Sequence, residues 1–249
     1  MPFEVPRGSE RHARLASVLE VLYLIFNEGY AASDGDDAQR PALCHEALSL
    51  IGVLAEQMPT AAEVHALRAL MALQASRSAA RSDASGAPVL LLEQDRSRWH
   101  QPLIQLGLAA LARAQQLGGG ESSYALQAAI AACHATAAQA QDTDWPRIAA
   151  LYTRLAQRVP SPVIALNRAV AIAMAEGPAA GLVLVEALQQ DSALRHYHLL
   201  PSVRGDLLYK LGRFDEARAD FLHAATLAGN ARDKTFLLTR ADACSGLPA

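Results

Sequence analysis

Two polar clusters interrupt the apolar stretches of this sequence, and both contain residue types that can bind a ligand. The first follows the run VLYLIF and contains Asn27, Glu28 and Tyr30. The second is the segment EQDRSRW, in which two acidic residues precede two arginines and a tryptophan follows. Guanidinium groups and an indole can hold a carboxylate or a phosphate between helices. The candidate ligand or partner pocket therefore comprises Asn27, Glu28, Tyr30, Glu93, Asp95, Arg96, Arg98 and Trp99.

Both clusters also have a structural interpretation, which the sequence favours. Asn27 and Glu28 fall in the last turn of an apolar helix, and Gly29 suits the left-handed residue just after a helix end. Asp95 can cap the helix that follows it, and the arginines can pair with nearby acids. Ligand binding by these residues stays the alternative.

Other patterns of catalytic or metal-binding residues are weak. The eight histidines include no H-E-x-x-H pair, and His196 and His198 are two apart, which places them on different faces of a helix. The acidic loop 33–37 lacks a glutamate at calcium-loop spacing, since the next one is Glu46. The glycines 118–120 follow a predicted helix, whereas a dinucleotide-binding loop follows a strand. We therefore predict no metal, no cofactor and no catalytic residue.

The composition predicts an all-α protein. Of the 249 residues 51% are hydrophobic and only 5% aromatic, and period-two runs of β-branched residues are almost absent. A net charge of −3 without a basic face argues against direct nucleic-acid binding. Three widely spaced cysteines without C-x-x-C fit a reducing cytoplasm. No apolar run reaches the roughly 18 residues of a membrane span.

Helix start and stop signals divide the chain into about eleven helices in antiparallel hairpins. Thr60 and Glu63 have the spacing of a capping box, and Asp144 and Asn230 are suited to single caps. Gly212 marks a break between two helices. Residues 11–117 are predicted to form an N-terminal helical subdomain, and residues 121–245 to form helical repeats packed against it as one unit. The Ser- and Ala-rich stretch 76–86 is the clearest loop candidate.

The window 198–231 carries the pattern of a helical-hairpin repeat. Its core, GDLLYKLGRFDEARADFLHAA, spaces small and aromatic residues as in a tetratricopeptide repeat. Small residues let paired helices approach closely, and phenylalanines fill the gaps between them. The C-terminal half is therefore predicted to be an α-solenoid, a tetratricopeptide-like superhelix. Its packing positions are Gly205, Leu208, Gly212, Phe214, Ala217, Phe221 and Ala224.

Several segments, taken in order, resemble one family. The segments are VLYLIFNEGYAAS, LCHEALSL, LLEQDRSRW, YALQAAIAACHA, DTDWPRIAALYTRL, SPVIALNRAVA and GPAAGL. Together they resemble the C-terminal extension, containing tetratricopeptide repeats, of one group of bacterial extracytoplasmic-function RNA polymerase sigma factors. The resemblance runs from about Pro2 to Asn230. The two promoter-binding domains of such factors have no counterpart here, so residues 1–10 are expected to be the linker that follows them.

The resemblance implies a regulatory protein-interaction domain that controls transcription initiation. Its implied partners are the sigma-factor DNA-binding domains and the RNA polymerase core, in the cytoplasm, with no membrane association and no enzymatic activity. A helical domain that senses a small molecule and switches the sigma factor is the alternative. DNA binding cannot be assigned to any residue of this chain.

Overall fold

The structure is a computed structural model that describes residues 9–30, 40–83 and 89–245. Its regular structure is helical, which confirms the all-α prediction. Across the described residues the eleven α-helices are α1 (Ser9–Tyr30), α2 (Pro41–Gln57), α3 (Ala62–Ala75), α4 (Gln101–Gln116), α5 (Ser123–Thr136), α6 (Trp145–Arg158), α7 (Pro162–Glu176), α8 (Pro178–Leu188), α9 (Leu199–Lys210), α10 (Phe214–Leu227) and α11 (Ala231–Ala243). Residues 1–8 of the expected linker and the acidic loop 33–37 lie outside the described residues.

The chain divides into two compact units, Met1–Thr143 and Asp144–Ala249. The predicted boundary near residue 117 lies one helix earlier than this division, because α5 packs on α3 and α4. Tyr124 of α5 also sets its ring edge against Tyr23 of α1, with the ring centroids 5.6 Å apart. The helix assigned from sequence to the first repeat is therefore part of the N-terminal unit.

Helix α3 is the centre of the N-terminal unit. It packs against α1, α2, α4 and α5, and every residue from Val64 to Leu73 except Arg68 is buried. A helix that is apolar on all sides belongs in such a core. Helix α4 approaches α3 closely at Gly107, where an added Cβ would lie 2.6 Å from Leu73 Cγ. A glycine at this position thus sets the distance between the two helices.

Gly29 does not end helix α1, contrary to the sequence prediction. The helix continues to Tyr30, and the left-handed glycines of the described residues are Gly118, Gly177 and Gly212. A Cβ at Gly29 would lie 2.7 Å from the backbone nitrogen of Cys44 in α2. The glycine is needed for this close approach of α1 to α2. From sequence alone, a glycine needed for helix contact cannot be distinguished from one that ends a helix.

The predicted helix caps divide into confirmed and wrong cases. Asp144 Oδ1 accepts a hydrogen bond from the Arg147 backbone N–H at 3.0 Å, and Asn230 Oδ1 accepts one from Asp233 at 2.8 Å. The predicted capping box at Thr60 is wrong, since α3 begins at Ala62 without a side-chain cap. Glu63 is instead hydrogen-bonded to Ser122; desolvation raises the pKa of its carboxyl, an effect that this bond opposes.

The C-terminal unit is a series of helices in which each packs on the next, from α6 to α11. Its core gathers the buried faces of α7 to α11, with Leu166, Val185, Phe221 and Leu237 among its members. Adjacent α7 and α8 meet at Gly181, where an added Cβ would lie 2.9 Å from the Ala169 carbonyl oxygen and closer still to the Ala173 side chain.

The proposed repeat positions lie at the contact between α9 and α10. Leu208, Ala217, Phe221 and Ala224 are buried, and a Cβ at Gly205 would lie 3.0 Å from the Phe221 ring. The other two positions shape the turn between these helices. Gly212 has a φ of 77° there, and the Phe214 ring packs edge-on against Tyr209 at 5.3 Å.

Replacing Gly181 by alanine should destabilise the C-terminal unit by about 1–3 kcal/mol, because α7 and α8 would have to separate. Gly52 of α2 is the matched control, since it is also helical but an added Cβ meets nothing within 4 Å. There alanine should be neutral or stabilise by up to about 1 kcal/mol, because it restricts the unfolded chain. Urea unfolding followed by circular dichroism measures both changes; equal effects of the two substitutions would contradict the close-packing account.

Candidate functional site

Tyr30, in the first predicted cluster, ties the end of α1 to the segment after α3. Its ring stacks on Phe26 with centroids 5.7 Å apart. Arg77 Nη2 donates to the Tyr30 hydroxyl at 2.9 Å. Arg81 lies over the Tyr30 ring, with its guanidinium carbon 3.8 Å from the centroid, and donates to the Tyr30 carbonyl. Two arginines therefore hold this tyrosine by its ring, its hydroxyl and its backbone.

The other polar residues of the first cluster have different partners. Glu28 forms an ion pair with Arg40 at 2.9 Å. Asn27 hydrogen-bonds the hydroxyl of Tyr23, whose pKa is raised by burial, an effect that the bonds from Asn27 and Gln74 oppose. The Glu28 ion pair joins α1 to the residue before α2, whereas the Asn27 bond lies within α1, so both side chains have partners within the protein.

Arg96, in the second cluster, closes the end of α5. Its Nη1 donates to the carbonyl oxygens of His134 at 2.5 Å and Ala137 at 2.8 Å, and its Nη2 donates to Thr143 Oγ1 at 3.1 Å. The last carbonyls of a helix lack partners within the helix, so a cation placed there satisfies them and also complements the helix dipole. The guanidinium additionally lies 4.9 Å from the ring centroid of buried Trp99.

The remaining charged residues of the second cluster form local bonds. Asp95 Oδ1 accepts from the Ser97 N–H at 2.9 Å and from its hydroxyl at 2.6 Å, and these bonds lower the pKa of Asp95. Asp95 thus caps the short 3-10 helix Arg96–Arg98, and not the long helix that the sequence predicted. Arg98 donates to the carbonyls of Ala79 and Ser82, while Glu93 is exposed.

The two clusters approach each other through residues that the sequence had assigned to a loop. The charge of Arg77 contributes to the lowered pKa of both Arg96 and His134, so these groups share one neighbourhood, although burial is the larger cause for each. The pKa of Arg81 is likewise lowered, mainly by burial. The sequence signal that could have revealed this neighbourhood was the pair Arg77 and Arg81. They lie four residues apart in a stretch of otherwise small and polar residues.

This arrangement is an arginine–aromatic cluster, formed by Tyr30, Arg77, Arg81, Arg96, Trp99 and His134. Several buried polar atoms in the N-terminal unit have no partner among the described residues: Gln74 Oε1, Gln94 Oε1, Arg96 Nε and Trp99 Nε1. Buried groups of this kind are normally satisfied by protein, water or ligand. The cluster can therefore donate further hydrogen bonds, from Arg96 Nε and Trp99 Nε1, although most of its other donors are already bonded to backbone carbonyls.

The described residues contain no group of three or more His, Cys, Asp or Glu side chains placed to hold a metal ion. Cys44, Cys133 and Cys244 are buried and are not joined in disulfides. No described helix has the length and apolar character needed to cross a bilayer.

Comparison with known proteins finds two similarities. Residues 14–115, from α1 to the end of α4, match a family described as "Family of unknown function (DUF6596)". The whole chain is 43% identical, over 250 residues, to the protein of Rhizobium meliloti (strain 1021) called "Uncharacterized protein R00370". The chain spans 58% of the length of that relative, so about two-fifths of the relative lies outside the match.

Replacing Arg96 by alanine should destabilise the N-terminal unit by about 3 kcal/mol, because the carbonyls of His134 and Ala137 would lose a charged donor. Arg147→Ala, which removes an exposed guanidinium from α6, is the control and should change stability by less than about 0.5 kcal/mol. Thermal and urea unfolding measure both changes. An Arg96→Ala protein as stable as Arg147→Ala would show that the hydrogen bonds of Arg96 are not needed for stability.

The stability of the N-terminal unit should fall between about pH 6.5 and pH 4. Burial, with Arg77 and Arg96 nearby, lowers the pKa of His134 to about 4, whereas an unfolded histidine titrates near 6.5. Below pH 6.5 the unfolded chain binds a proton that the folded chain does not, so stability is complete above this pH and is lost as the pH falls. The loss attributable to His134 is roughly 3 kcal/mol at pH 4.

This loss is measured as the difference between the original chain and His134→Gln, since the carboxylates titrate in both. The difference in unfolding free energy should narrow steadily as the pH is lowered from 7 to 4. A difference that stays constant over this range would mean that His134 does not titrate abnormally.

Proposed function

We propose that this chain is a regulatory protein-interaction domain of a bacterial RNA polymerase sigma factor. It would act in the cytoplasm by contacting the sigma-factor DNA-binding domains or the polymerase core, and so shift them between active and inactive arrangements. The proposal assigns it no catalytic role. The observation that carries it is an apolar surface on α1 that the described structure does not cover.

Helix α1 is apolar on two sides. Its first side, with Leu19, Leu22 and Phe26, is buried in the N-terminal unit. On the opposite side Val21 and Leu24 are 53% and 61% exposed. A helix that is hydrophobic nearly all round is normally buried on all sides, and exposed apolar patches mark interaction sites. We call Val18, Val21 and Leu24 the outer face of α1; Val18 is 44% exposed.

A carboxylate accompanies this outer face. Glu20 is exposed one helical turn before Leu24. It forms no ion pair with a described residue, whereas Glu28 pairs with Arg40. An apolar strip beside an unpaired carboxylate complements a basic amphipathic helix.

The DNA-binding domains of a transcription factor must carry basic surface to reach the phosphate backbone. A domain that covers such a surface would compete with DNA, which gives a physical route to control of initiation. The order of segments that resembles the sigma-factor extension supports this partner. The Rhizobium meliloti relative also has room for additional domains, since about two-fifths of its length lies outside the match.

The double substitution Val21→Ser and Leu24→Ser should weaken binding to the partner at least tenfold, since each buried apolar side chain contributes roughly 1.5–3 kcal/mol. The probe is the part of the Rhizobium meliloti relative outside the match, produced as a separate polypeptide, with binding measured by calorimetry. Val183→Ser is the matched control, because Val183 is 67% exposed but lies on α8. Raising the salt concentration should also weaken binding.

Two outcomes of this experiment oppose the proposal at different levels. No binding of the probe by the original chain would reject the partner. Equal binding by the original chain and the double variant would keep the partner and reject the outer face of α1 as the contact. In a full-length sigma factor that contains this domain, transcription unaffected by its deletion would reject the regulatory role itself.

A small-molecule-sensing domain is the second candidate function. It is supported by the unpartnered buried atoms of the arginine–aromatic cluster, among them Trp99 Nε1 and Arg96 Nε. A thermal-shift screen of anionic metabolites, with Arg77→Gln as the negative comparison, distinguishes it from protein binding alone.

A further inference from the structure

The C-terminal unit contains a cavity of about 300 Å³, which lies outside every candidate site named so far. Its walls come from the turn after α8, from α9 and from α10. The lining is apolar at Leu194, Leu200 and Pro201, which are buried, and polar elsewhere. This volume is at the lower end of the range of small-molecule pockets, so it suits a group of a few heavy atoms.

The two carboxylates of the cavity are already engaged. Asp220 accepts from Arg204 Nη1 with both oxygens, at 3.0 and 2.8 Å. Asp191 Oδ1 accepts from the Ala193 backbone N–H at 2.9 Å, which caps the short 3-10 helix Ser192–Leu194. Both carboxylates of this cavity therefore have donors within the protein.

The donors of the cavity are not matched in the same way. Arg204 Nε is buried and has no hydrogen-bond partner among the described residues. Arg195, which also lines the cavity, forms no ion pair with any described residue, and the Gln189 and Gln190 side chains add amide donors. Burying a guanidinium N–H without an acceptor is unfavourable, so the cavity favours an occupant that accepts hydrogen bonds.

The charges near the cavity limit what that occupant can be. Glu186 Oε1 lies 3.9 Å from Arg204 Nη2, so the charge of Arg204 is partly neutralised by Glu186 as well as by Asp220. Burial raises the pKa of Asp220, an effect that Arg204 and His223 oppose. Among the described residues, Arg195 is the cavity-lining arginine that forms no ion pair. A single carboxylate, and not a polyphosphate, matches one free guanidinium and one unpaired N–H.

We propose that this cavity binds a small carboxylate, with Arg195 supplying the charge and Arg204 Nε–H and the glutamine amides supplying hydrogen bonds. The carboxylate can belong to a free dicarboxylate or to an acidic side chain of a partner polypeptide. These sources share the same chemistry at the cavity. The proposal does not depend on the sigma-factor function, because it concerns a different unit and does not require sigma-factor domains or polymerase.

The test is calorimetric titration of the full chain with two carboxylates and their neutral amides. The probes are succinate, with succinamide as its control, and acetyl-Gly-Glu-Gly-amide, with acetyl-Gly-Gln-Gly-amide as its control. At least one carboxylate should bind at least tenfold more tightly than its amide, since charged hydrogen bonds are the stronger ones. Binding of succinate alone identifies a small-molecule site, and tighter binding of the peptide identifies a partner side chain.

Two variants locate the binding. Arg195→Gln should weaken carboxylate binding roughly tenfold, and its exposed position leaves the fold intact. Arg232→Gln removes an equally exposed arginine from α11, which does not line the cavity, and should leave binding unchanged. Equal binding of acid and amide, equal effects of the two variants, or no carboxylate binding below about 10 mM would overturn the proposal.

Discussion

The fold depends on close approach between neighbouring helices at positions that lack a side chain. Gly29 meets the backbone of Cys44, Gly107 meets Leu73, Gly181 meets Ala169, and Gly205 meets Phe221. An alanine- and leucine-rich chain with few aromatic residues has small side chains to fill its core, so its helices must lie close together to reach native packing density. The glycines make that distance possible, and the small buried side chains of Ala217 and Ala224 have the same effect in α10.

Such closely packed helices leave their C-terminal carbonyls to be satisfied, and arginines from distant parts of the chain supply the donors. Helix α1 has no basic residue in its last turn, and its terminal carbonyl at Tyr30 receives Arg81 from 51 residues away. The α5 carbonyls receive Arg96 in the same manner. An arginine fork can donate to two acceptors at once, which a lysine ammonium cannot do with fixed geometry. This explains why the cluster contains arginines while carrying few acidic partners.

The helical class and most helix positions could be predicted because they depend on local patterns. Asp144 and Asn230 cap their helices within three residues of themselves, so sequence alone identifies them. Glu63 was misassigned because its partner, Ser122, is distant in sequence. Gly29 was misassigned for a related reason: the residue that requires a glycine there belongs to another helix. The arginine–aromatic cluster could be predicted only in part from sequence. Its members Arg77 and Arg81 lie in a stretch whose composition is typical of a loop.

Two surfaces of the molecule are not explained by its own folding, and they differ in physical character. The outer face of α1 is apolar, so association there would release water from hydrocarbon and would depend on area and shape. The cavity beside Arg195 and Arg204 is polar and small, so binding there would depend on a few directed hydrogen bonds and would discriminate by charge. A ligand in the cavity would be coupled to a partner on α1 if it changed the equilibrium between arrangements of the chain. Measuring partner binding with and without carboxylate would show whether the two sites are coupled, and the coupling must then be reciprocal.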